Sequence, residues 1–298
     1  MIYSFLIYII SSFLFSFIYP VIDIENYGET TSKWEINSFK EEIYGLKDRI
    51  NVSASSVAVY NTNNNSFIYE KDSEEILPIA SISKLMAALV FLDLDIDWDE
   101  YYKIQEGDRR FGGRDYIFLG EEVKRKDLLA LAIIASDNTA VSSLISSAGF
   151  TEDEFVKMMN DKSRDMGLFR TDFKDATGLN NMNVSTAKEV AIFSSEAFSK
   201  NEISSLAVLS EYSFQTKGGR LKNVFSTNKL LFNPDEESLI IIGPGKTGYN
   251  NLSGYCLSLN FKIDGDSFVS VVLNSNTINS RFIDSEIIMK EIRNIYNK

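Results

Sequence analysis

The order of strand-like and helix-like segments is the feature that most restricts the fold of this chain. Two β-type runs at 56–60 and 66–70 flank a run of turn formers, which predicts a hairpin. A block of helical patterns follows, and β-type runs return at 239–243, 254–261 and 267–274. Because helices interrupt the strands, the economical packing is one antiparallel sheet built from both ends of the chain.

The helical block is expected to form a lobe beside the sheet, over about residues 80–205. Helices are predicted after Pro78 and at 123–135, 139–148, 151–167, 186–199 and 280–296. Thr151 and Glu154 form a capping box at the start of one of them. The result is an α+β fold with flanking helices, and a ligand site is expected in the cleft between sheet and lobe.

Residues 1–22 carry no charged side chain and are about long enough to cross a ~30 Å hydrocarbon core as a helix. The basic start and small-residue cleavage site of a signal peptide are not clear, which favours an uncleaved transmembrane anchor over a cleaved leader. Residues 23–50 are polar and acidic and are predicted to be a juxtamembrane spacer before a folded part at 51–298. Both interpretations place that part outside the cytoplasm, either at the cell membrane or, after cleavage, as a secreted or periplasmic protein.

The chain contains no histidine, which excludes every site that depends on imidazole, from Ser-His-Asp triads to HExxH zinc sites. Acid–base chemistry near neutral pH must therefore use another group with a displaced pKa. The single cysteine, Cys256, excludes an internal disulfide and is interpreted as a buried apolar residue. A net charge of −12 without a basic stripe argues against a nucleic-acid partner.

Three short motifs carry the chemistry: Ser81 with Lys84 (S-x-x-K), Ser136 with Asn138 (S-x-N), and Lys246-Thr247-Gly248 (K-T-G). The spacing in S-x-x-K puts the amine one helical turn from the hydroxyl, within its reach. Each motif alone is weak evidence, because S-x-x-K recurs at 185–188 and 226–229, and Ser136 alone is typical of a helix N-cap. All three in this order are the motif set of one group of serine enzymes.

On these motifs the chain resembles the low-molecular-mass penicillin-binding proteins, specifically the D-alanyl-D-alanine carboxypeptidases, over about residues 52–275. Further similar segments are PIASISKLM, LLALAIIASDNTAV, DATGL and GKTGYNNLSGYCL. The resemblance implies a β-lactamase/transpeptidase-like fold and removal of the terminal D-Ala from peptidoglycan stem peptides, with β-lactams as covalent inhibitors and no cofactor or metal. The resemblance does not extend to the carboxy-terminal β-rich domain of that family, and we expect membrane attachment at the N-terminus instead.

The resemblance also implies catalytic roles. Lys84 takes the proton of the nucleophile Ser81, and Ser136 relays a proton to the departing amine. Lys84 serves as a base only when neutral, and burial together with Lys246 as a second cation is expected to lower its pKa. The backbone N–H groups of Ser81 and Tyr249 are expected to form an oxyanion hole.

Substrate binding is implied in the same way. Asn138 is expected to bond the substrate backbone, and Lys246 and Thr247 to hold its terminal carboxylate. Gly248 is expected to leave room for the substrate to lie along the strand, because no Cβ intervenes.

Several alternatives remain open. An endopeptidase that cleaves peptidoglycan cross-links shares all three motifs. A class A β-lactamase is less favoured, because Ala176 stands where its deacylating Glu is expected and the neighbouring Asp175 is out of register. A non-catalytic penicillin-binding sensor is also less favoured, because every expected catalytic residue is present. We interpret residues 109–114 as a solvated loop, with lining of the cleft as the alternative.

Overall fold

The computed structural model describes residues 45–46, 48–232 and 240–296, all within the unit Glu41–Lys298. The strands in chain order are β1 (Ser56–Asn61), β2 (Ser66–Lys71), β3 (Leu77–Pro78), β4 (Tyr101–Lys103), β5 (Glu122–Lys124), β6 (Val184–Ser185), β7 (Glu211–Gln215), β8 (Leu221–Phe225), β9 (Ile240–Asn250), β10 (Gly254–Ile263) and β11 (Asp266–Ser275). The α-helices are α1 (Ser83–Leu92), α2 (Arg125–Ala130), α3 (Asn138–Ser147), α4 (Glu152–Asp165), α5 (Ala187–Ser199), α6 (Asn201–Ala207) and α7 (Ser280–Tyr296). Short 3-10 turns occur at Ala80–Ile82, Glu106–Asp108 and Lys229–Leu231, and a π-type turn at Leu131–Ala135.

The main sheet has five antiparallel strands in the order β2-β1-β11-β10-β9. Strand β1 pairs directly with β11, with Ser56 opposite Leu273. The predictions of a sheet built from both chain ends and of a hairpin of β1 and β2 are therefore confirmed. Strand β9 forms one edge of this sheet.

Side chains of β11 alternate between two apolar layers, as the period of a strand requires. Val269 and Leu273 belong to the large core that also contains α1 and α5. Phe268 instead stacks on Phe261 and meets Tyr296 of α7 edge-on. The helical lobe therefore covers one face of the sheet and α7 covers the other.

Helix α1 lies at the centre of the lobe, where every residue from Ser83 to Phe91 is buried. It packs against α4, α5 and the π-type turn, which explains why it is apolar on all sides. The 3-10 turn at Ala80–Ile82, just before α1, lies against β9. The start of α1 is thus held at the border between lobe and sheet.

Two predicted elements differ from the structure. The helix predicted at 123–135 begins only at Arg125, because Val123 pairs with Tyr102 in the β4–β5 pair, and it ends in the π-type turn. The strand predicted at 239–243 continues to Asn250 as β9. An edge strand tolerates Pro244, which lacks an N–H, and the register shifts opposite this position as in a β-bulge.

The predicted membrane span at 1–22 and nearly all of the predicted spacer at 23–50 lie outside the described residues. Within residues 48–232 and 240–296, no helix is long and apolar enough to cross a membrane. The domain limits near residues 22 and 50 therefore stay predictions.

Candidate functional site

Ser81 lies in the 3-10 turn that leads into α1. The preceding Ala80 has a left-handed backbone (φ 47°), which costs a non-glycine residue about 1–3 kcal/mol. Two neighbours hold this conformation. Ser83 Oγ donates to the Ala80 carbonyl at 2.7 Å, and a Cβ on Gly178 would lie only 2.0 Å from that carbonyl oxygen. Strain of this kind occurs mostly at functional sites, and here it adjoins the candidate nucleophile.

Lys84 lies one helical turn after Ser81, and its side chain is buried. Its Nζ is 3.0 Å from Ser81 Oγ, 2.7 Å from Asn138 Oδ1 and 2.5 Å from the Thr177 carbonyl oxygen. A neutral amine has two N–H groups and one lone pair. Because the amide and carbonyl oxygens can only accept, they take the two N–H groups and leave the lone pair for the Ser81 hydroxyl. This geometry suits the removal of a proton from Ser81.

Burial lowers the pKa of Lys84 to about 7, although the carboxylates of Asp175 and Asp137 oppose that shift. The sequence prediction named Lys246 as the second cause. The repulsion between the two lysines instead lowers the pKa of Lys246, where it adds to burial and to the charge of Arg281. Near neutral pH, burial therefore supplies the neutral form of Lys84.

Ser136 lies between the π-type turn and α3, in a left-handed conformation (φ 60°, ψ 30°). The alternative that Ser136 caps α3 is wrong, because Asp137 is the N-cap and accepts from the Ala140 N–H at 2.9 Å. The Ser136 hydroxyl is thus free to accept a hydrogen bond from Lys246 Nζ at 2.7 Å. The second and third motifs are therefore in direct contact.

Asn138 joins Lys84 to the loop at 109–114. While its amide oxygen accepts from Lys84, its Nδ2 donates to the Gly112 carbonyl at 2.8 Å. The loop is exposed from Phe111 to Arg114, as expected for a solvated loop, but it also contacts the site through the Gly112 carbonyl. Nδ2 carries a second hydrogen, which has no partner among the described residues and remains available for a ligand.

The K-T-G motif lies inside β9 and not in a turn after a shorter strand. Thr247 Oγ1 donates to Thr227 Oγ1 at 2.6 Å. A Cβ on Gly248 would lie 2.8 Å from the Ile79 carbonyl oxygen. The absent Cβ thus lets β9 approach the chain just before Ser81, whereas the expected reason was space for a substrate.

Asp175 organises the loop that brings Thr177 to Lys84. Its carboxylate accepts from the backbone N–H groups of Thr177 at 2.8 Å and of Gly178 at 2.5 Å, and from that of Asn180. A carboxylate engaged in this way is not available as a base for water. The structure thus gives no substitute for the deacylating Glu of class A β-lactamases at this place.

Four contacts of the site come from residues that the motifs do not include: Gly112, Thr177, Thr227 and Arg281. Gly112 and Thr177 contribute backbone carbonyls, which no side-chain pattern reveals. Arg281 on α7 donates to the Gly248 carbonyl at 3.0 Å. Across residues 48–232 and 240–296, no group of three or more His, Cys, Asp or Glu side chains is arranged to hold a metal.

Comparison with known proteins agrees with this geometry. A family model described as D-alanyl-D-alanine carboxypeptidase (peptidase S11) matches residues 44–277. The chain is 30% identical over 240 residues to the D-alanyl-D-alanine endopeptidase of Escherichia coli strain K12, covering 78% of this chain and 75% of that protein. It is 30% identical over 236 residues to the D-alanyl-D-alanine carboxypeptidase DacF of Bacillus subtilis strain 168, covering 76% and 59%.

Two solved structures share the fold. The Streptomyces K15 DD-transpeptidase superposes with a TM-score of 0.75 at 22% identity, covering 81% of this chain and 97% of that one. The cefotaxime-bound penicillin-binding protein D2 of Listeria monocytogenes has a TM-score of 0.68 at 27% identity, with the same coverage of both chains, 81% and 97%. The predicted transpeptidase-like fold is therefore confirmed.

Proposed function

Because this chain belongs to the D-alanyl-D-alanine carboxypeptidase family of serine peptidases, we propose that it removes the terminal D-Ala from peptidoglycan stem peptides, with Ser81 as the nucleophile. One observation carries the assignment of the nucleophile. Lys84 Nζ lies 3.0 Å from Ser81 Oγ and meets only hydrogen-bond acceptors in its other two directions. In a chain without histidine, this buried amine is the base that the geometry offers.

Acylation begins when neutral Lys84 accepts the Ser81 proton and Oγ attacks the carbonyl carbon of the penultimate D-Ala. The carbonyl oxygen becomes an oxyanion, for which the backbone N–H groups of Ser81 and Tyr249 are the proposed donors. Preorganised donors of this type are worth about 100-fold or more in rate each.

Collapse of the tetrahedral intermediate breaks the C–N bond. Ser136 protonates the leaving nitrogen, and Lys246, which donates to the Ser136 hydroxyl at 2.7 Å, restores that proton. Water then attacks the acyl carbon, and its proton passes through Ser136 to Lys246. As the ester breaks, Lys84 returns the proton it took to Ser81 Oγ, which restores the starting site.

Substrate binding uses the groups around this centre. Lys246 and Thr247 hold the terminal carboxylate, and the spare N–H of Asn138 bonds the substrate backbone. The unpaired edge of β9 gives an extended peptide a place to align. β-Lactams acylate the same serine and act as covalent inhibitors.

The test is labelling of the purified full-length chain, in detergent, with a fluorescent penicillin. Wild type is expected to take the label and Ser81→Ala to take none. Ser185→Ala is the matched control. Ser185 begins a second S-x-x-K sequence at 185–188, but it lies in β6 and has no hydrogen bond to a lysine among the described residues. Labelling of Ser81→Ala, or none in wild type, would contradict the assignment.

A D,D-endopeptidase is the second candidate, because the Escherichia coli relative with this name is as similar as the carboxypeptidase relative. Release of D-Ala from a pentapeptide is compared with cleavage of a cross-linked peptide dimer. Faster turnover of the dimer would favour the endopeptidase.

We also propose that residues 1–22 attach the protein to the membrane, with the folded part outside the cytoplasm. The absence of charge over this run supports the proposal. Sequencing the N-terminus of the mature protein distinguishes the anchor, which keeps Met1, from a cleaved leader.

A further inference from the structure

Arg281 is a buried charge without a carboxylate partner in the described part of the chain. It lies on the first turn of α7 and is only 7% exposed. Its Nη1 donates to the Gly248 carbonyl at 3.0 Å, and its guanidinium lies 5.6 and 4.9 Å from the ring centres of Tyr255 and Phe282. Its Nε has no hydrogen-bond partner among the described residues. Burial of a charge without a counterion is costly, so a role other than stability is indicated.

Arg281 keeps its charge near neutral pH, because burial lowers its pKa only to about 10. A hydrogen bond to one neutral carbonyl does not offset the full cost of removing a guanidinium from water. The reason for burying Arg281 therefore lies in the peptide unit to which the Gly248 carbonyl belongs.

The Gly248 carbonyl and the Tyr249 N–H belong to one planar trans peptide unit and point in opposite directions. Arg281 reaches this unit from α7, the helix that packs on β10 and β11. The Tyr249 N–H therefore points away from the carbonyl oxygen that Arg281 contacts. The turn that carries Ser81 lies against β9.

A charged donor at a peptide oxygen has two effects on the opposite N–H. It fixes the plane of the peptide, and it draws electron density toward the oxygen, which makes the N–H a stronger donor. Both effects stabilise an anion that accepts a hydrogen bond from this N–H.

We propose that Arg281 is a positioning residue for the oxyanion site, acting through the Gly248 carbonyl to orient and strengthen the Tyr249 N–H. This inference rests on the proposed acyl-transfer function. Arg281 contacts the carbonyl of this peptide unit, opposite the Tyr249 N–H, so the proposed role needs no contact between Arg281 and the substrate. Through the Tyr249 N–H, Arg281 therefore favours binding of a tetrahedral anion attached to Ser81.

The test compares Arg281→Met with Arg281→Lys, using Lys290→Met as the control, because Lys290 is an exposed cation on the same helix. Acylation by a penicillin is measured together with affinity for a peptide boronic acid, whose serine adduct is a tetrahedral anion. We expect Arg281→Met to lose about 10- to 100-fold in both, somewhat less than the loss of an oxyanion donor itself. Arg281→Lys keeps part of each, and Lys290→Met changes neither.

A merely structural role would also weaken the binding of a planar ligand. Binding of a peptide ending in D-Ala-D-Ala is therefore measured in the Ser81→Ala background, with and without Arg281→Met. We expect less than about a threefold change, because a ground-state carbonyl uses the oxyanion donors weakly. An equal loss for the planar peptide and for the boronic acid would overturn the proposal.

The rival role is direct contact of Arg281 with the substrate carboxylate. It predicts a higher KM for carboxylate-bearing peptides and no effect on a thioester whose leaving group lacks a carboxylate, and that result would overturn the proposal. If Arg281→Met does not fold, Arg281→Lys and Arg281→Gln carry the test, and wild-type acylation rates in both would contradict it. Failure of the proposed function is distinguishable, because in that case the wild-type protein itself would not be acylated by a penicillin.

Discussion

Asn138 Oδ1 accepts a hydrogen bond from Lys84 Nζ at 2.7 Å, so the middle motif touches the proposed base directly. The contact is with a neutral amide, which accepts from the amine without adding a charge beside it. The two carboxylates that do raise the pKa of Lys84, Asp175 and Asp137, are held by backbone N–H groups. A charged group at the position of the Asn138 amide would therefore change the pKa of Lys84.

The rate of Ser81 acylation is expected to rise with pH through the pKa of Lys84, about 7. Only the neutral amine accepts the Ser81 proton, so the rate increases about tenfold per pH unit well below that value and levels off above it. Stopped-flow measurement of penicillin acylation between pH 5.5 and 9, at constant ionic strength, gives this rising limb of the pH–rate profile. A rate independent of pH over about 6 to 9 would contradict a lysine base.

Asn138→Asp is expected to move this limb to higher pH. The new carboxylate would lie beside the Lys84 amine and favour its charged form, which raises the pKa of Lys84 and lowers the neutral fraction at pH 7. Asn138→Ala is the control, because it removes the same hydrogen bond without adding a charge. A limb at the same pH in Asn138→Asp as in Asn138→Ala would show that Lys84 is not the titrating group.

Gly178→Ala is expected to destabilise the protein by about 2–4 kcal/mol and to slow acylation, because it adds a clash to an unfavourable left-handed backbone. The new Cβ would lie 2.0 Å from the Ala80 carbonyl oxygen, next to Ser81. Gly167→Ala is a close control: Gly167 has a similar φ of 76°, against 82°, but nothing lies within 4 Å of its Cβ position. Urea unfolding gives both free energies, and equal losses would refute the importance of the Ala80 contact.

Binding of a carboxylate is expected to draw a proton onto Lys246. Burial, Lys84 and Arg281 lower the pKa of Lys246 well below its usual range in the empty site, which favours the neutral amine there. An anion placed next to it stabilises the charged form and raises that pKa, which gives net proton uptake.

Calorimetry of a D-Ala-D-Ala peptide binding to Ser81→Ala at pH 8, in two buffers with different ionisation enthalpies, measures this uptake. The binding enthalpy should depend on the buffer, and the dependence should vanish in the double variant with Lys246→Met. The same enthalpy in both buffers would exclude proton uptake at Lys246.

Local patterns predicted the parts of the fold that local contacts determine. The capping box of Thr151 and Glu154 is present in full. The same sequence pattern at Thr186 and Glu189 gives only half of a box: Thr186 caps α5, but the Glu189 carboxylate accepts from the backbone N–H of Arg170. The difference arises because a distant segment competes for the same carboxylate.

The sequence also predicted which motif residues belong together but not what holds them. Lys84 contacts Ser81 and Asn138, and Lys246 contacts Ser136. The left-handed backbone of Ser136, at the end of the π-type turn, was not predicted. Continuation of β9 through Pro244 was hidden, because Gly and Pro usually end strands and only a position at a sheet edge tolerates them. Arg281 lies far along the chain from every motif, and no pattern marks it.

The pairing of β1 with β11 has a consequence for how this protein is made. Strand β1 pairs with β11, which lies near the other end of the folded part, and long-range pairing of this kind is slow. During synthesis, the chain emerging from Ser56 onward can form its helices but not the middle of its sheet. Loss of β11 by early termination would leave β1 and β10 without the strand between them, so incomplete chains should be exposed to chaperones and proteases, while completed chains escape.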